Sequence, residues 1–319
     1  MASEASASVV IPTYNRAELV LRAVASVQRQ SFDDWELLLV DDASTDDTRA
    51  CIEKLDDPRI EYVRRDINGG VAAAQNTGLD RATGRYVLFL HSDDELLPDC
   101  LRRLSDVLDR APPAIGGVEA GLEVVEPKTT VRRRPYLEGA DGRALLAFQS
   151  GVHISTLLLR REVAAAIRFD ERLRGVEDRD FCVRLLRRST LAFEADPLVR
   201  IHRTATRLTS QSKAPIYEYL LAKHHDDIVT SPAMHGSWWF GIAREYARAG
   251  DLRRARSAMQ RAVQAHPSRI RRWPLFAASC LGDGAFSLAL SVYSAAARVV
   301  SPREAGYQID GIRTTKRVP

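Results

Sequence analysis

The sequence predicts an α/β fold with a mostly parallel central sheet covered by helices on both faces, followed by an α-helical C-terminal region. Two observations lead to this prediction. From Ala7 to about residue 110, short β-rich runs alternate with amphipathic segments of helical period, which is typical of consecutive βαβ units. The last hundred residues carry no strand pattern and look helical throughout.

The predicted elements of the first region follow one another at short intervals. Turn or capping residues bound each apolar run, as expected for strands. The first helix places Val20, Val24 and Val27 on one face, which gives it a side to pack against a sheet. The predicted strands are 8–11, 35–40, 60–63 and 86–90, and the predicted helices are 17–30, 46–55, 71–82 and 98–110.

The rest of the chain falls into two further regions. Residues 111–214 are less regular, with a predicted strand at 156–159, a helix at 179–188 and a solvated loop at the basic run 132–134. The apolar segment 285–300 is short, which favours a core helix over a membrane span. Residues at the spacing of one tetratricopeptide unit are Trp239, Ile242, Ala243, Tyr246, Gly250, Ala255, Met259, Ala262 and Pro267. The predicted domains are 1–214, with halves of about 1–110 and 111–214, and the helical region 215–319.

The composition excludes several classes of protein. With 319 residues, 45% hydrophobic and 28% charged, the chain can form one or two globular cores and is neither disordered nor fibrous. It has no run of about 18 uncharged apolar residues, and Met1–Ser8 lacks the basic and apolar regions of a signal peptide. The expected location is therefore the cytoplasm. The four cysteines form no Cys-x-x-Cys pair, which predicts neither a disulfide framework nor a zinc site.

Charge is unevenly distributed along the chain. Residues 1–110 carry 13 Lys/Arg and 21 Asp/Glu, a net charge of −8. Residues 111–214 carry 18 and 13, a net of +5, and residues 215–319 carry 15 and 8, a net of +7. The acidic first third argues against nucleic acid as a partner. The basic remainder predicts contact with phosphates or with an anionic membrane surface at the inner face of the cell membrane, which flotation with anionic liposomes would test.

Polar loops follow the first two predicted strands, at the edge where open α/β sheets bind ligands. Pro12–Arg16 follows the first strand, and an ordinary turn with a helix cap is the alternative interpretation. Asp41 and Asp42 end the second strand, and Ser44 or Thr45 is expected to cap the next helix. Capping needs one side chain only, so the two acids are predicted to accept hydrogen bonds from a nucleobase or a ribose hydroxyl.

Acidic residues recur at two later positions. Asp93, Asp94 and Glu95 follow the fourth strand, where they need either solvent or a cation to relieve their repulsion. A divalent metal with oxygen ligands, Mg²⁺ or Mn²⁺, would neutralise them and also hold substrate phosphates. The pair Glu177–Asp178 precedes an amphipathic run, so the beginning of a helix is the alternative explanation there.

Taken together and in this order, the motifs resemble the family-2 glycosyltransferases of the GT-A fold over roughly residues 7–210. The resemblance implies a Rossmann-like three-layer sandwich. His91 stands where the family usually has an acid, and Gln75 stands where many relatives have Arg. The matching segments are VVIPTYNR at 9–16, LVDDAS at 39–44, NGG at 68–70, NTG at 76–78, ATGRY at 82–86, the acidic cluster that extends to Pro98, and Glu177–Asp178.

The resemblance implies catalytic and nucleotide-binding roles for the matching positions. Asp178 would be the catalytic base, with Glu177 beside it, and Asp42 would contact the base of the nucleotide. The implied nucleotide-binding residues are Pro12, Thr13, Tyr14, Asn15, Arg16, Asp41, Asp42, Asn68, Gly70, Asn76 and Ser92.

The resemblance also implies a metal site. Asp93 would ligate Mn²⁺ or Mg²⁺ bridging the diphosphate, and Asp94 would lie next to the donor sugar. His91 is a further candidate ligand, because an imidazole ligates Mn²⁺ or donates a hydrogen bond to a phosphate. His202 is the fourth, on the segment 199–209 that looks like the family's mobile loop.

The implied activity is transfer of a hexose from a nucleotide sugar, a UDP-sugar, to a hydroxyl acceptor with inversion, in surface polysaccharide or glycoconjugate biosynthesis. The implied partners are the nucleotide-sugar donor and a saccharide or lipid-linked saccharide acceptor, and not nucleic acid. A membrane surface or a protein is the expected partner of the C-terminal helices. Two alternatives stay open: a nucleotidylyltransferase, which the glycine-free loop 12–16 disfavours, and a catalytically degenerate scaffold that binds partners through its helices.

Overall fold

Nine strands join into one sheet in the part of the chain that the computed structural model describes, residues 5–126, 129–202, 212–269, 273–282, 284–286 and 288–289. The strands are β1 (Ala7–Thr13), β2 (Trp35–Asp41), β3 (Ile60–Arg64), β4 (Tyr86–Phe89), β5 (Glu95–Leu96), β6 (Ile115–Glu126), β7 (Thr129–Arg133), β8 (Leu157–Arg160) and β9 (Thr190–His202). The helices that accompany them are α1 (Ala17–Gln28), α2 (Thr48–Ile52), α3 (Val71–Arg81), α4 (Cys100–Arg110), α5 (Gly142–Leu146), α6 (Arg161–Ile167) and α7 (Glu177–Arg188).

The sheet runs in the order β3-β2-β1-β4-β8-β6-β9-β5, with β7 beside β6. The first four strands are parallel to one another, and the register places Thr13 opposite Asp41 and Asp41 opposite Arg64. The predicted α/β fold with a mostly parallel sheet is confirmed. Because the carboxyl ends of these strands meet at one edge, the loops that follow β1, β2, β3 and β4 lie side by side.

The predicted inward face of α1 is buried, since Val20, Val24 and Val27 have no exposed surface. Their neighbours come from alternate residues of two strands and from one face of α4, as expected where side chains alternate across a sheet. The core on this face of the sheet also contains Val9, Ile11, Leu37, Leu39, Leu101, Leu104 and Leu108.

The opposite face of the sheet is covered by α3 and by three aromatic rings. Helix α3 lies so close to β1 that a Cβ atom added at Gly78 would come within 2.3 Å of Val10 Cγ1. The ring of Phe89 packs edge-on against Phe169 at 4.9 Å between centroids, and Phe169 stacks on Phe181 of α7 at 4.4 Å. This aromatic contact fixes the start of α7 beside the end of β4.

The region after residue 110 contains strands that the sequence pattern does not show. Strands β6, β7 and β9 form where an irregular region is predicted, and β8 pairs antiparallel with β4. The predicted loop at 132–134 is wrong for its first two residues: Arg132 and Arg133 lie on the strand β7 and are exposed to solvent. Exposed arginines at this position discourage pairing with another chain. Helix α7 also begins at Glu177, two residues earlier than predicted.

The chain divides into two compact units, residues 1–142 with 151–205 and residues 143–150 with 206–319. The second unit contains most of α5. Its other helices are α8 (Ala214–Lys223), α9 (His225–Val229), α10 (Pro232–Arg248), α11 (Leu252–Ala265) and α12 (Trp273–Cys280). The predicted helical C-terminal region is confirmed for the described residues. Most of the apolar segment 285–300 lies outside them. No helix within the described ranges combines the length and apolar character needed to cross a membrane.

A tight turn joins α10 to α11. Gly250 has a φ of +80° there, and the Asp251 side chain caps α11 by accepting a hydrogen bond from the Arg254 backbone N–H at 3.0 Å. The facing surfaces bury residues from both helices, including Ile242 and Met259. This helical pair lies where the tetratricopeptide unit is predicted, and membership of that repeat class stays a prediction.

Candidate active site

The loops that follow β1 and β2 are joined by hydrogen bonds. The Asn15 backbone N–H donates to Ser44 Oγ at 2.9 Å, and Asn15 Oδ1 accepts from the Thr45 backbone N–H at 2.8 Å. The Arg16 backbone N–H donates to Thr48 Oγ1 at 3.1 Å. The expectation that Ser44 or Thr45 caps the next helix is therefore wrong, because α2 begins at Thr48 without a side-chain cap. Ser44 Oγ accepts from the Asn15 backbone N–H instead, and Thr45 Oγ1 accepts from Asn15 Nδ2 at 3.3 Å.

Asp41 anchors the second loop from inside. Its carboxylate is fully buried, and Oδ1 accepts a hydrogen bond from the Ser44 backbone N–H at 2.8 Å. Oδ2 accepts from the Tyr62 hydroxyl at 2.6 Å and from the Arg64 guanidinium at 3.0 Å. With its oxygens engaged in this way, Asp41 supports the fold of the loop, and its predicted contact with a nucleotide stays a prediction.

Asp42 organises the third loop. Its Oδ1 accepts hydrogen bonds from Arg65 Nη1 at 2.6 Å and from the Gly69 backbone N–H at 3.0 Å, and its Oδ2 accepts from the Gly70 backbone N–H at 2.7 Å. Asn68 Nδ2 donates to the Asp42 carbonyl at 3.1 Å. Gly70 has a φ of +88°, a conformation that favours glycine. The predicted residues Asp42, Asn68 and Gly70 are thus brought together.

The acidic loop after β4 is tied to the first loop. Asp93 Oδ2 accepts a hydrogen bond from Arg16 Nη1 at 2.7 Å, and the Asp93 carbonyl accepts one from Arg22 Nη2 at 2.7 Å. Ser92 is buried beside it. The structure therefore places a predicted metal ligand and a predicted nucleotide-binding cation in direct contact.

A second group of side chains surrounds Asp94, which is buried. His153 Nε2 lies 3.6 Å from Asp94 Oδ2, and His91 Nδ1 lies 3.9 Å from the same oxygen. His91 Nε2 in turn lies 3.6 Å from Asp178 Oδ2. Ser155 Oγ donates to Asp94 Oδ2 at 2.9 Å and accepts from the His91 backbone N–H at 3.1 Å. Two predicted metal ligands and the predicted base thus converge, together with His153 and Ser155.

The predicted catalytic pair begins helix α7. The Asp178 carboxylate accepts a hydrogen bond from the Ile154 backbone N–H, and its Oδ1 has no hydrogen-bond partner among the described residues. Glu177 Oε2 accepts a hydrogen bond from the Gly175 backbone N–H. Negative charge at the N-terminus of a helix is favourable, so the position holds two adjacent acids at limited cost to the fold.

Burial controls the ionisation of this cluster. It raises the pKa of Asp94 to about 7, and burial with the nearby Asp178 charge raises the pKa of Glu177 to about 7. Burial also raises the pKa of Asp178. Burial acts to lower the pKa of His91, but the charges of Asp178 and Asp94 outweigh it, so this pKa is raised. Burial and His91 hold the pKa of His153 well below its usual range.

Two predicted site residues make other contacts. His202 Nε2 lies 2.6 Å from Glu95 Oε1, and only the His202 backbone N–H reaches Asp94. Asn76 Nδ2 donates to the Phe169 carbonyl at 3.0 Å and to Glu171 Oε1 at 2.9 Å. The imidazole of His202 and the amide of Asn76 therefore contact neither the loop residues around Asp42 nor the side chains around Asp94. Their predicted roles stay predictions. The predicted mobile loop 199–209 is wrong for residues 199–202, which form the end of strand β9. Residues 203–209 lie outside the described part of the chain.

His153 and Ser155 are site residues that sequence reasoning misses. They precede β8, and β8 pairs antiparallel with β4, with Leu88 opposite Leu158. Antiparallel pairing brings the beginning of one strand beside the end of the other, so residues 153–155 lie next to the loop that follows β4. A sequence of alternating strands and helices predicts parallel neighbours. The available signal is a histidine three residues before the predicted strand 156–159.

The donor atoms suit a divalent cation. His91, Asp94 and His153 each offer one ligand atom, and these atoms lie within 4.8 Å of one another. Two imidazoles with one carboxylate favour Mn²⁺ and other transition metals over Mg²⁺. Of the predicted ligands, Asp93 lies outside this trio and contacts Arg16.

Replacing Asp94 with Asn is expected to change the free energy of unfolding in a pH-dependent way. The difference between the variant and the wild type should shift in favour of the variant as the pH rises from 4 to 8. The folded-state pKa of about 7 lies above the ordinary 3.8, so the protonated carboxyl stabilises the fold at low pH and this contribution is lost as the pH rises through 7. The loss amounts to at most about 4 kcal/mol. Melting temperatures of both proteins in EDTA between pH 4 and 8.5 measure it.

The exposed Asp56→Asn variant is the control for removing one carboxylate. A difference in melting temperature between Asp94→Asn and wild type that does not change with pH would contradict the argument, because an effect of packing alone does not titrate.

The family described as Glycosyl transferase family 2 matches residues 8–189. The amylovoran biosynthesis glycosyltransferase AmsB of Erwinia amylovora is 30% identical over 231 residues, which is 68% of this chain and 75% of AmsB. The GalNAc(5)-diNAcBac-PP-undecaprenol beta-1,3-glucosyltransferase of Campylobacter jejuni is 43% identical over 100 residues, which is 30% of this chain and 32% of that protein.

The fold is similar to that of a solved structure, S. aureus TarS 1–349 in complex with UDP-GlcNAc. The TM-score is 0.64 at 19% sequence identity, and the similarity covers 91% of this chain and 92% of the TarS chain. At this level of identity the similarity shows a common fold.

Proposed function

The chain belongs to glycosyl transferase family 2 and is a glycosyltransferase, and on this premise we propose that it transfers a hexose from a UDP-sugar to a hydroxyl group during surface polysaccharide biosynthesis. The position of the Asp178 carboxylate is the main support for this function. It is held at the carboxyl edge of the sheet, close to the acidic loop, with one buried oxygen that has no partner among the described residues. A carboxylate oxygen in this state is suited to accept a proton from a substrate.

The loops at the edge of the sheet have side chains suited to bind the nucleotide part of the donor. The ring of Tyr14 is 43% exposed at the end of β1 and offers a face for a base. Thr13 Oγ1 is buried without a hydrogen-bond partner among the described residues, which leaves a hydroxyl for the ligand. Arg16 and Arg65 supply positive charge for a diphosphate. Uridine is favoured because TarS, which has the same fold, was solved with UDP-GlcNAc.

A saccharide is the proposed acceptor, either free or linked to a lipid diphosphate. The names of two relatives support this class: one acts in amylovoran biosynthesis, and the other is a glucosyltransferase whose acceptor name includes undecaprenol. The Campylobacter enzyme aligns over 32% of its length, so its acceptor transfers to this chain only as a proposal. Association of the basic C-terminal third with a membrane or a protein stays a prediction.

The proposed mechanism is a single displacement at the anomeric carbon. The acceptor oxygen forms a bond to that carbon on the face opposite the diphosphate, and the bond from the carbon to the diphosphate oxygen breaks with its electron pair. The Asp178 carboxylate takes the acceptor proton, and one displacement inverts the anomeric configuration. Burial raises the pKa of Asp178, which makes its carboxylate a stronger base once it is ionised.

Asp93 is the proposed ligand of the cation that accompanies the diphosphate. Its present partner is Arg16, at 2.7 Å, so the carboxylate is already held beside the loop proposed for the nucleotide. A bound Mn²⁺ or Mg²⁺ would neutralise charge that develops on the diphosphate. The scaffold alternative is not favoured, since Asp42, Asp93 and Asp178 are all present in the arrangement described above.

A thermal-shift titration tests the donor and its metal. We expect UDP with Mn²⁺ to raise the melting temperature, whereas GDP and dTDP do not, because only a ligand of the folded state stabilises it. At 100 times its Kd, UDP would contribute about 2.7 kcal/mol. Asp93→Ala is expected to abolish the shift produced by UDP with Mn²⁺, and exposed Asp56→Ala serves as its matched control.

Release of UDP from UDP-GlcNAc and other UDP-hexoses, with and without a saccharide acceptor, then measures transfer. If no nucleotide stabilises the chain and no UDP-sugar is consumed, the proposed function is wrong, and the scaffold interpretation replaces it.

A further inference from the structure

Three donor atoms converge beside Asp178, from the buried Asp94 and from two partly exposed histidines. His153 Nε2 and His91 Nδ1 lie 3.6 and 3.9 Å from Asp94 Oδ2, and all three ligand atoms fall within 4.8 Å of one another. These separations are slightly larger than those of atoms that share a metal ion, as expected of ligands that have yet to close on it. The two imidazole rings lie 5.2 Å apart between centroids in an edge-type contact, with their planes inclined at 60°.

Neighbouring groups form polar contacts with two of these three residues, Asp94 and His91. Metal ligands in proteins are commonly held in place by such contacts. Ser155 Oγ donates to Asp94 Oδ2 at 2.9 Å and also accepts from the His91 backbone N–H, so one hydroxyl positions both ligands. His91 directs its second nitrogen, Nε2, toward Asp178 Oδ2 at 3.6 Å. A metal-bound histidine commonly donates its other ring N–H to a carboxylate, which fixes the tautomer that binds the metal.

We propose that His91, Asp94 and His153 bind a divalent transition-metal ion in the absence of any nucleotide. Two imidazoles select Mn²⁺, Co²⁺ or Zn²⁺ over Mg²⁺, which prefers oxygen ligands. This site differs from the one proposed at Asp93, because that carboxylate pairs with Arg16 and is not one of the three converging groups.

A metal ion at this site would account for a histidine, and not an acid, at position 91. A carboxylate there would add negative charge next to Asp94, Glu177 and Asp178, whereas a neutral imidazole ligates the ion through Nδ1 and donates Nε2–H to Asp178. Ion and base are thereby connected through one side chain. This connection orients the Asp178 carboxylate through its Oδ2 atom.

Metal binding to the tag-free, EDTA-treated chain tests the proposal without activity or nucleotide. Titration with Co²⁺, followed by its visible absorption and by calorimetry, is expected to show one site that excess Mg²⁺ does not displace. His153→Gln and Asp94→Asn are each expected to weaken Co²⁺ binding at least about tenfold. Asp93→Asn and the exposed His225→Gln are expected to leave it unchanged.

Because a variant at a buried position can fail to fold, circular dichroism checks each one, and a second measurement uses the wild type alone. Electron spin-echo modulation of the Cu²⁺-loaded chain is expected to show two imidazole nitrogens. Absence of nucleotide-free binding, binding unaffected by folded His153→Gln, or binding lost in Asp93→Asn would each overturn the proposal. If Co²⁺ binding requires UDP and is lost in Asp93→Asn, the three-residue metal site is wrong and the proposed function stands. If Co²⁺ binds but the chain does not respond to UDP, the metal site stands and the proposed function is wrong.

Discussion

Replacing Asp178 with Asn is expected to lower the rate of sugar transfer by about 10²- to 10⁴-fold, the range that a general base contributes. The amide keeps the size and shape of the side chain at the beginning of α7, but it cannot take the proton of the acceptor hydroxyl. Nucleotide binding should be nearly unchanged, since the proposed nucleotide contacts come from the loops after β1, β2 and β3. The measurements are steady-state transfer from UDP-GlcNAc or another accepted UDP-hexose, and UDP binding by calorimetry.

The control for this substitution is Glu162→Gln, an exposed acid-to-amide change on α6. It should leave both quantities at their wild-type values. Turnover by Asp178→Asn at more than a tenth of the wild-type rate would show that another group accepts the proton. Weakened UDP binding with unchanged turnover would instead place Asp178 in the nucleotide pocket.

Replacing Asp41 with Ala is expected to decrease the free energy of unfolding by about 3 kcal/mol. The substitution leaves the Ser44 backbone N–H and the Tyr62 hydroxyl without their buried acceptor, and it removes the ion pair with Arg64. For a chain of 319 residues the melting temperature should decrease by roughly 4–5 °C. Urea unfolding followed by circular dichroism gives the free energy directly.

Asp47→Ala is the matched control, because Asp47 lies in the same loop, is exposed, and makes no side-chain capping bond. Its stability should equal that of the wild type within about 0.5 kcal/mol. If Asp41→Ala folds as stably as this control yet no longer binds UDP, then Asp41 is a nucleotide ligand and its internal hydrogen bonds contribute little.

The sequence predicts the first half of the sheet well, because its strands are apolar runs separated by amphipathic helices. The periods of both elements appear directly in the residues, as with Val20, Val24 and Val27 on α1. After residue 110 it predicts the strand at 156–159 and the helix at 179–188 but misses β6, β7 and β9. The clearest physical reason lies in β6. Strand β6 contains Gly116, Gly117 and Gly121 with several glutamates. Neighbouring side chains occupy the space that a Cβ would take at the first two glycines, and backbone carbonyls occupy it at the third. Such a strand has neither a continuous apolar run nor a clean alternation.

The candidate active site is likewise predicted in part and missed in part. The motifs predict which loops meet at the edge of the sheet, and the parallel strands do bring those loops together. They do not distinguish a side chain used by the fold from one left for a ligand: Asp41 ends in a buried hydrogen-bond network, whereas Asp178 keeps an unpartnered oxygen. His153 is missed because its position depends on the direction of β8, and strand direction in a mixed sheet follows from tertiary packing.

The hydrogen bonds between Asn15 and the Ser44–Thr45 turn have a thermodynamic consequence for recognition. They order the loops after β1 and β2 during folding, so the conformational entropy of these loops is lost before a ligand arrives. A ligand that binds there meets a preorganised surface, and more of its contact energy appears as affinity. Since rigid loops adjust little, shape discrimination at this edge of the sheet comes from mismatch with a fixed template and not from a selective closing motion.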